Sequence, residues 1–260
     1  MINLVDCHNH MLWDMDDGAI EEQESLDMAR QAVSYGFSTI FVTPHLIPRG
    51  IYEPKHTDIV RATTNLRLLL KEHEIPLTIK YGCEFRLNDE AFDTIERREY
   101  VCYEDTDWIL VEFTPNSARH RDVLDAMNEL KLQGKRCVIA HPERYFEDVG
   151  VALEVAARWS HCGAKFQLNR TAVLGLHGDK MQQIAHQFIA HGYAHLVATD
   201  AHHNYGNRLL RFDDVHQHLK ANFNEVVADT LCIENPKRLY HNEPMLDLEV
   251  KAKSWWQRNR

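Results

Sequence analysis

Residues 4–10 read Leu-Val-Asp-Cys-His-Asn-His (LVDCHNH), a short apolar run that closes on two imidazoles, His8 and His10. Two positions apart on an extended chain, these side chains point to one face and can hold one ion. The arrangement recurs along the chain. IFVTPH ends at His45, IKYGCE at Glu84 and WILVEF carries Glu112; CVIAHPE carries His141, and HLVATDAH carries Asp200 and His202. A carboxylate or imidazole that closes an apolar strand suits a cation better than a core. When strand after strand does so at the same relative place, the donors can converge at one end of the fold.

Between these runs lie helix-period segments. Residues 21–35 put Leu26, Ala29, Ala32 and Val33 on one face, with Gly36 as the stop. A longer helix is expected over about residues 56–73, carrying Ile59, Ala62, Leu66, Leu69 and Leu70. Strands are expected near 77–83, 107–113, 136–140, 164–168 and 195–199. About seven β–α units follow, which implies a parallel sheet with right-handed crossovers. In α/β barrels the active site collects at the C-terminal ends of the strands. With 260 residues and no low-complexity linker, the expectation is one domain.

Composition narrows the function classes. A formal charge of −10 argues against a nucleic-acid-binding surface, which wants a basic stripe. An anionic substrate must then be drawn in by cations and local arginines. No apolar stretch is long enough to insert in a membrane. The N-terminus lacks a basic region followed by an apolar one, so no signal peptide is read and the cytoplasm is the expected location. Cys7, Cys83, Cys102, Cys137, Cys162 and Cys232 form no C-x-x-C pair, which excludes a zinc ribbon and leaves buried thiols.

The H-x-H pair alone is weak, since a chain with 17 histidines makes such pairs by chance. His216 and His218 form another, but in a helical context, where positions i and i+2 face apart. In the turn WDMDDGA, Asp14 and Asp16 read as cap or solvated-loop residues, and Asp17, before Gly18, reads as a ligand. The candidates are then His8, His10, Asp17, His45, Glu84, Glu112, His141, Asp200 and His202. This set is too large for one four-ligand zinc site. Two or three ions sharing carboxylates fit better, and mixed N/O ligation suits manganese, iron or zinc. Sites of this sort activate water and clamp the oxygens of an in-line displacement at phosphorus, which points to phosphate-ester hydrolysis.

The series H-x-H, D-D-G, T-P-H, G-x-E, V-E-F, A-H-P-E-R and T-D-A-H resembles the polymerase-and-histidinol-phosphatase (PHP) family. It is most similar to the bacterial manganese-dependent protein-tyrosine phosphatases of capsule and exopolysaccharide loci, the CpsB/YwqE type, from about residue 4 to residue 240. The resemblance implies a distorted (β/α)7 TIM-like barrel, the PHP fold, over residues 1–242. It maps a three-cation cluster onto the same nine residues, with Glu84 as the natural bridge. The implied metal is Mn2+, two or three ions, with iron, zinc or magnesium as alternatives. The implied partner is the phosphotyrosine-bearing C-terminal tail of a membrane-associated autophosphorylating tyrosine kinase that controls polysaccharide production.

Two arginines complete the expected site. Arg144 in HPER can fork onto two phosphate oxygens; a salt bridge to an acid such as Glu143 is the alternative, and the resemblance favours the phosphate. Relatives place an arginine about five positions after the last histidine, whereas Arg208 stands six beyond His202, so its role assumes a one-residue loop insertion. Arg49, in LIPRGIYEP, reads as a solvated loop residue outside the site. The closing stretch LEVKAKSWWQRNR, with Trp255 and Trp256, reads as part of an extension, residues 243–260, packing on the barrel.

Cys232 and Arg238 satisfy the bare C-x5-R spacing of cysteine-dependent phosphatases. That loop needs backbone N–H groups aimed at phosphate, yet here there is no glycine, and Pro236 removes a donor. The segment reads as the start of a last helix. Two other readings stay open: a PHP phosphoesterase acting on histidinol phosphate or a similar small ester, and a non-catalytic metal-binding module. The complete donor set and Arg144 argue against the module, and the absence of a basic track argues against a nuclease.

Overall fold

The structure is a computed structural model, and it describes residues 4–114 and 121–249, excluding the side chains of residues 121 and 122. Strand and helix alternate from the start: β1 (Leu4–Asp6), α1 (Glu22–Ser34), β2 (Phe37–Val42), β3 (His45–Leu46), α2 (His56–Glu72), β4 (Thr78–Tyr81) and β5 (Glu84–Arg86). Then come α3 (Ala91–Glu96), β6 (Trp108–Glu112), α4 (Arg121–Leu132), β7 (Arg136–Ala140), α5 (Val149–His161) and β8 (Lys165–Asn169). The chain continues through α6 (Arg170–Val173), α7 (Asp179–Ala190), β9 (Leu196–Ala198), α8 (Asp213–Asn222), α9 (Glu225–Asp229) and α10 (Asn235–Tyr240).

All pairings are parallel, in a three-stranded sheet of order β1-β2-β4 and a six-stranded sheet of order β3-β5-β6-β7-β8-β9. The protein is therefore α/β with parallel sheets. The single strand expected near 77–83 is divided into β4 and β5, and the run ending at His45 into β2 and β3. Both breaks fall at the same height. Pro44 has no N–H to give, and Gly82 lies so close to Tyr103 that an added Cβ would stand 3.1 Å from its ring. Backbone bonds bridge the interruption nonetheless: Gly82 N–H donates to Val42 O (2.9 Å) and Glu84 N–H to Pro44 O (3.0 Å). At the far edge, Asn9 forms an isolated parallel bridge with Ala201, beyond β9.

The helices follow the expected stripes. In α1 Leu26, Ala29 and Ala32 are buried, and Gly36, at φ 87°, ends it in the left-handed conformation that glycine takes without strain. In α2 Ile59, Leu66 and Leu70 are buried. These faces join the larger apolar cluster. A smaller one contains Val5, Phe41, Trp108, Leu110, Val138, Ala140 and Leu196, with Leu239 and Met245. The period-two row Trp108–Leu110 continues to Glu112; Phe41 stands four before His45, and Leu196 four before Asp200. The donors thus extend the inward rows of an apolar interior.

His216 and His218 lie on α8 as expected and go separate ways, His216 to Asp229 (2.7 Å) and His218 to His186 (3.1 Å). Past α10, the Asn235 side chain brackets Leu246, and Asp247 meets Lys165 (2.6 Å) and His195 (3.0 Å). Trp255 and Trp256 lie outside the described residues. No described helix is long and apolar enough to cross a membrane.

Candidate metal centre

His8 and His10 leave the end of β1 tied to the segment after β9. Asp200 N–H donates to His8 O, and His10 N–H to Ala201 O, each at 2.8 Å. The two Nε2 atoms lie 3.3 Å apart and face Glu84 Oε2 (3.3 and 3.5 Å) and Asp200 Oδ1 (3.5 Å each). Their other ring nitrogens are engaged: His8 Nδ1 with Gln167 Oε1 at 2.8 Å, His10 Nδ1 with Asp16 Oδ2 at 2.6 Å. A partner on Nδ1 fixes the tautomer and leaves Nε2 as a donor toward a cation.

The acidic turn corrects one expectation. Asp14 is exposed, but the Asp16 carboxylate is fully buried, and besides His10 it accepts the N–H groups of His45 (2.9 Å) and Gly18 (3.0 Å). It is a support of the site, not a solvated loop acid. Asp17, half-exposed, reaches His45 Nε2 at 3.4 Å and His202 Nε2 at 3.5 Å. Gly18 is required by space alone, because a Cβ there would meet His10 O at 2.1 Å.

The remaining donors close around Glu84, the first residue of β5. Its Oε2 lies 3.0 Å from His45 Nδ1 and its Oε1 2.6 Å from His141 Nε2. Glu112 Oε1 is 3.1 Å from the same His45 nitrogen and 2.8 Å from Arg86 Nη2. His141 and Asp200 sit at φ 32° and 50°, left-handed conformations that strain a residue with a Cβ.

Four overlapping groups result: His10, Asp17, His45 and His202; His8, Glu84 and His141; His8, His10 and Asp200; His45, Glu84 and Glu112. Within each, one donor atom per residue lies within 4.8 Å of the others. All nine expected donors belong to these groups, and no other described residue does. The donor set fits divalent cations on a second ground. Glu84 Oε2, Asp200 Oδ1 and His45 Nδ1 are buried with close ion-pair approaches but no well-directed hydrogen bond. Such atoms are costly unless a charge satisfies them.

The local fields agree. Burial pulls the His10 and His8 imidazoles down, but the acids around them (Asp16 foremost for His10, Glu84 for His8) hold both above the ordinary range. Burial pushes Glu84 up, yet His8, His45 and His141 keep it well below the usual carboxylate range; Asp200 is held down likewise by Arg208, His8 and Arg144. His202, buried and next to His10, is pushed down to about 4. A cation competes with protons for this set of imidazoles, so its binding releases them.

Arg144 follows His141 on a short 3-10 turn, and its Nη2 lies 2.9 Å from Asp200 Oδ2. Its ion partner is therefore Asp200 and not the neighbouring Glu143, whose buried Oε1 accepts Asn169 N–H (3.0 Å). Arg208 arrives at the other oxygen, with Nη2 2.5 Å from Asp200 Oδ1 and Nε donating to Asp200 O (2.9 Å). The six-residue spacing thus still brings Arg208 to the cluster. Arg49 lies elsewhere, paired with Glu90 and Asp93. The Cys232 thiol is buried and pushed up by that burial, and Arg238 is engaged by Pro244 O (3.1 Å) and Glu243 (3.3 Å).

Three supports escaped the sequence reading: Asp16, Gln167 and Asn169, whose Nδ2 donates to Asp200 Oδ2 (2.6 Å). β8 ends in Gln-Leu-Asn, the same polar closure that marked the other strands. Amides are poor cation ligands, so the signal went uncounted there.

Fold and site together define an α/β protein of parallel strands with a cluster of N and O donors, a candidate metal centre, at the strand ends. A model of the family described as capsular polysaccharide synthesis, CpsB/CapC, matches residues 4–241. The chain belongs to this family. It is 32% identical over 199 residues to the tyrosine-protein phosphatase YwqE of Bacillus subtilis (strain 168), covering 76% of this chain and 77% of that one. A solved structure reported with YwqE from B. subtilis and CpsB from Streptococcus pneumoniae, described as unique metal-dependent tyrosine phosphatases, superposes with a TM-score of 0.85 at 29% identity, covering 94% of this chain and 97% of that chain. Histidinol phosphate phosphatase from Lactococcus lactis subsp. lactis, complexed with zinc, L-histidinol and phosphate, shares the fold at a TM-score of 0.55 and 14% identity, covering 88% and 94%.

Proposed function

We propose that the protein is a metal-dependent protein-tyrosine phosphatase of capsule or exopolysaccharide synthesis. Family membership supports the reading, as do relatives named tyrosine-protein phosphatases. One observation carries it: nine N and O donors, eight from strand ends and Asp17 from the turn before α1, meet at one end of the fold, with two arginines on the carboxylate they share. The finer parts of the proposal are two or three divalent ions, Mn2+ foremost, held by His8, His10, Asp17, His45, Glu84, Glu112, His141, Asp200 and His202. We also read the two sheets as one distorted (β/α)7 barrel over residues 1–242, with an extension from residue 243 whose described part, 243–249, lies upon it; residues 250–260 lie outside the described residues. Backbone bonds across both strand breaks and the Asn9–Ala201 bridge support that reading.

When bound, divalent cations supply positive charge that polarises a phosphoester and makes water more acidic. The chain's own groups do the rest. Arg144 and Arg208, each partly exposed while holding Asp200, have further N–H groups for the non-bridging oxygens of a phosphate, where charge builds during transfer. Asp16 and Gln167 keep the Nδ1 protons of His10 and His8 in place, so that both Nε2 atoms face inward. The leaving tyrosinate has a reference pKa near 10, so little help from a general acid is demanded. The substrate we propose is the phosphorylated, tyrosine-rich tail of a membrane-associated kinase met in the cytoplasm.

The test is phosphotyrosine-peptide hydrolysis by metal-stripped protein with and without added Mn2+. Hydrolysis that depends on the ion is expected. No hydrolysis with any divalent ion, together with phosphate release from histidinol phosphate, would move the chain to the small-ester reading.

A further inference from the structure

Two tyrosine rings lie near the donor cluster, Tyr52 against the donor His45 and Tyr205 against His203, whose ring neighbours the donor His202. On the His45 side, Tyr52 lies nearly parallel to the imidazole, at 13° with centroids 6.0 Å apart. Its backbone is fixed by Ile47 N–H donating to Tyr52 O (2.7 Å), and neighbouring Ile51 is 85% exposed. On the His202 side, Tyr205, 62% exposed, stacks on His203 at 4.9 Å and 12°. His203 is anchored by Glu24 Oε1 (2.8 Å), whose second oxygen accepts the N–H of Ile20, itself 72% exposed. His45 and His202 both face Asp17, the most exposed of the nine donors; Tyr52 flanks this side directly, and Tyr205 through His203, whose ring centroid lies 6.5 Å from that of His202.

We infer that Tyr52 and Tyr205 are the specificity walls of the site, taking the aryl ring of the phosphoester, with Ile51 and Ile20 receiving the apolar side chains beside it in an extended peptide. The inference rests on the tyrosine-phosphatase reading and adds the residues that select the aryl ring over an alkyl one. The physical ground is that each ring is already held by stacking, so a second ring packs against it at little cost in conformational freedom. An alkyl phosphate reaches the same charged floor but leaves the walls bare. The charge of the site binds any phosphate; the walls choose what it is attached to.

The experiment compares Y52L and Y205L, which remove the rings, with Y52F and Y205F, which keep them. The readout is the ratio of kcat/KM on a phosphotyrosine peptide to that on the same peptide with phosphoserine, in the Mn2+-loaded protein. Each leucine variant is expected to lower the ratio about three- to tenfold, the range of one aromatic contact, through KM, while the phenylalanine variants keep it. An unchanged ratio in the leucine variants, or a loss confined to kcat, would overturn the inference, the latter making Tyr52 a support of His45. If the wild type hydrolyses neither peptide, the phosphatase reading fails by itself. Calorimetric binding of phenylphosphonate against methylphosphonate then decides the walls. A phenyl preference lost in Y52L and Y205L upholds them, and equal affinities in the wild type remove them.

Discussion

The buried Asp16 carboxylate lies 2.6 Å from His10 Nδ1 and also accepts the His45 backbone N–H at 2.9 Å. One acid on a turn thereby aligns two donors that arrive from different strands. Asp16→Asn keeps the shape but removes the charge that holds the His10 proton. The expected result is a divalent-ion affinity lower by about 10- to 100-fold, the usual cost of losing such a partner, measured by calorimetric titration of metal-stripped protein. Wild-type affinity in the variant would make Asp16 a packing residue.

The site was legible where a strand ended in a charged donor. His45, Glu112 and Asp200 announce themselves because an apolar period-two row has no reason to end so. Asp16 was not legible. In sequence it is one of three acids in a turn, and only the close approach of Gly18 to His10 buries it while leaving Asp17 half-exposed. The division of the strand after Tyr81 was equally hidden, since it depends on Tyr103 crowding Gly82 from a distant loop. Glu143 stood as the alternative partner for Arg144 because sequence shows neighbours in the chain, whereas Asp200, to which it is paired, arrives from another strand.

Arg144 and Arg208 divide the two oxygens of Asp200 between them. R144A and R208A are each expected to lower kcat/KM on a phosphotyrosine peptide by about 10²- to 10³-fold, as loss of a transition-state donor does, with metal content retained. Because they share a partner, the double variant should lose less than the product of the singles. Steady-state kinetics with metal analysis checks this. Near-normal turnover in both single variants would leave Asp200 as their whole role.

Cys232 has no part in the chemistry. Its side chain is buried, and burial holds the thiol well above its ordinary range. C232A is expected to retain wild-type kcat/KM, and a thiol-alkylating reagent to leave the folded enzyme active. Stoichiometric inactivation tracking modification of Cys232 would contradict this.

His195 makes acid stability depend on pH. Burial, followed by the charge of Lys165, pushes its imidazole down to about 4, and its Nδ1 accepts Phe166 N–H (3.2 Å). The folded value lies below the unfolded one, near 6.5. The unfolded chain therefore binds more protons between these values, so this contribution is complete above about pH 6.5 and is lost as pH falls toward 4. The full span is worth roughly 3 kcal/mol. In metal-stripped protein, denaturant unfolding should show H195Q losing less stability than the wild type between pH 7 and pH 4. Parallel curves would assign the acid sensitivity elsewhere.

The central claim is that the nine donors hold more than one divalent cation, and counting the ions tests it most directly. Metal-stripped protein saturated with Mn2+ and freed of excess is analysed for metal per chain, alongside its melting temperature before and after chelation. Two or three ions per chain are expected, with a melting temperature about 5–10 °C lower on chelation at roughly 100-fold excess over Kd, and loss of more than one ion in E84Q, since Glu84 belongs to two donor groups. One ion or none, with a melting temperature indifferent to chelation, would contradict it.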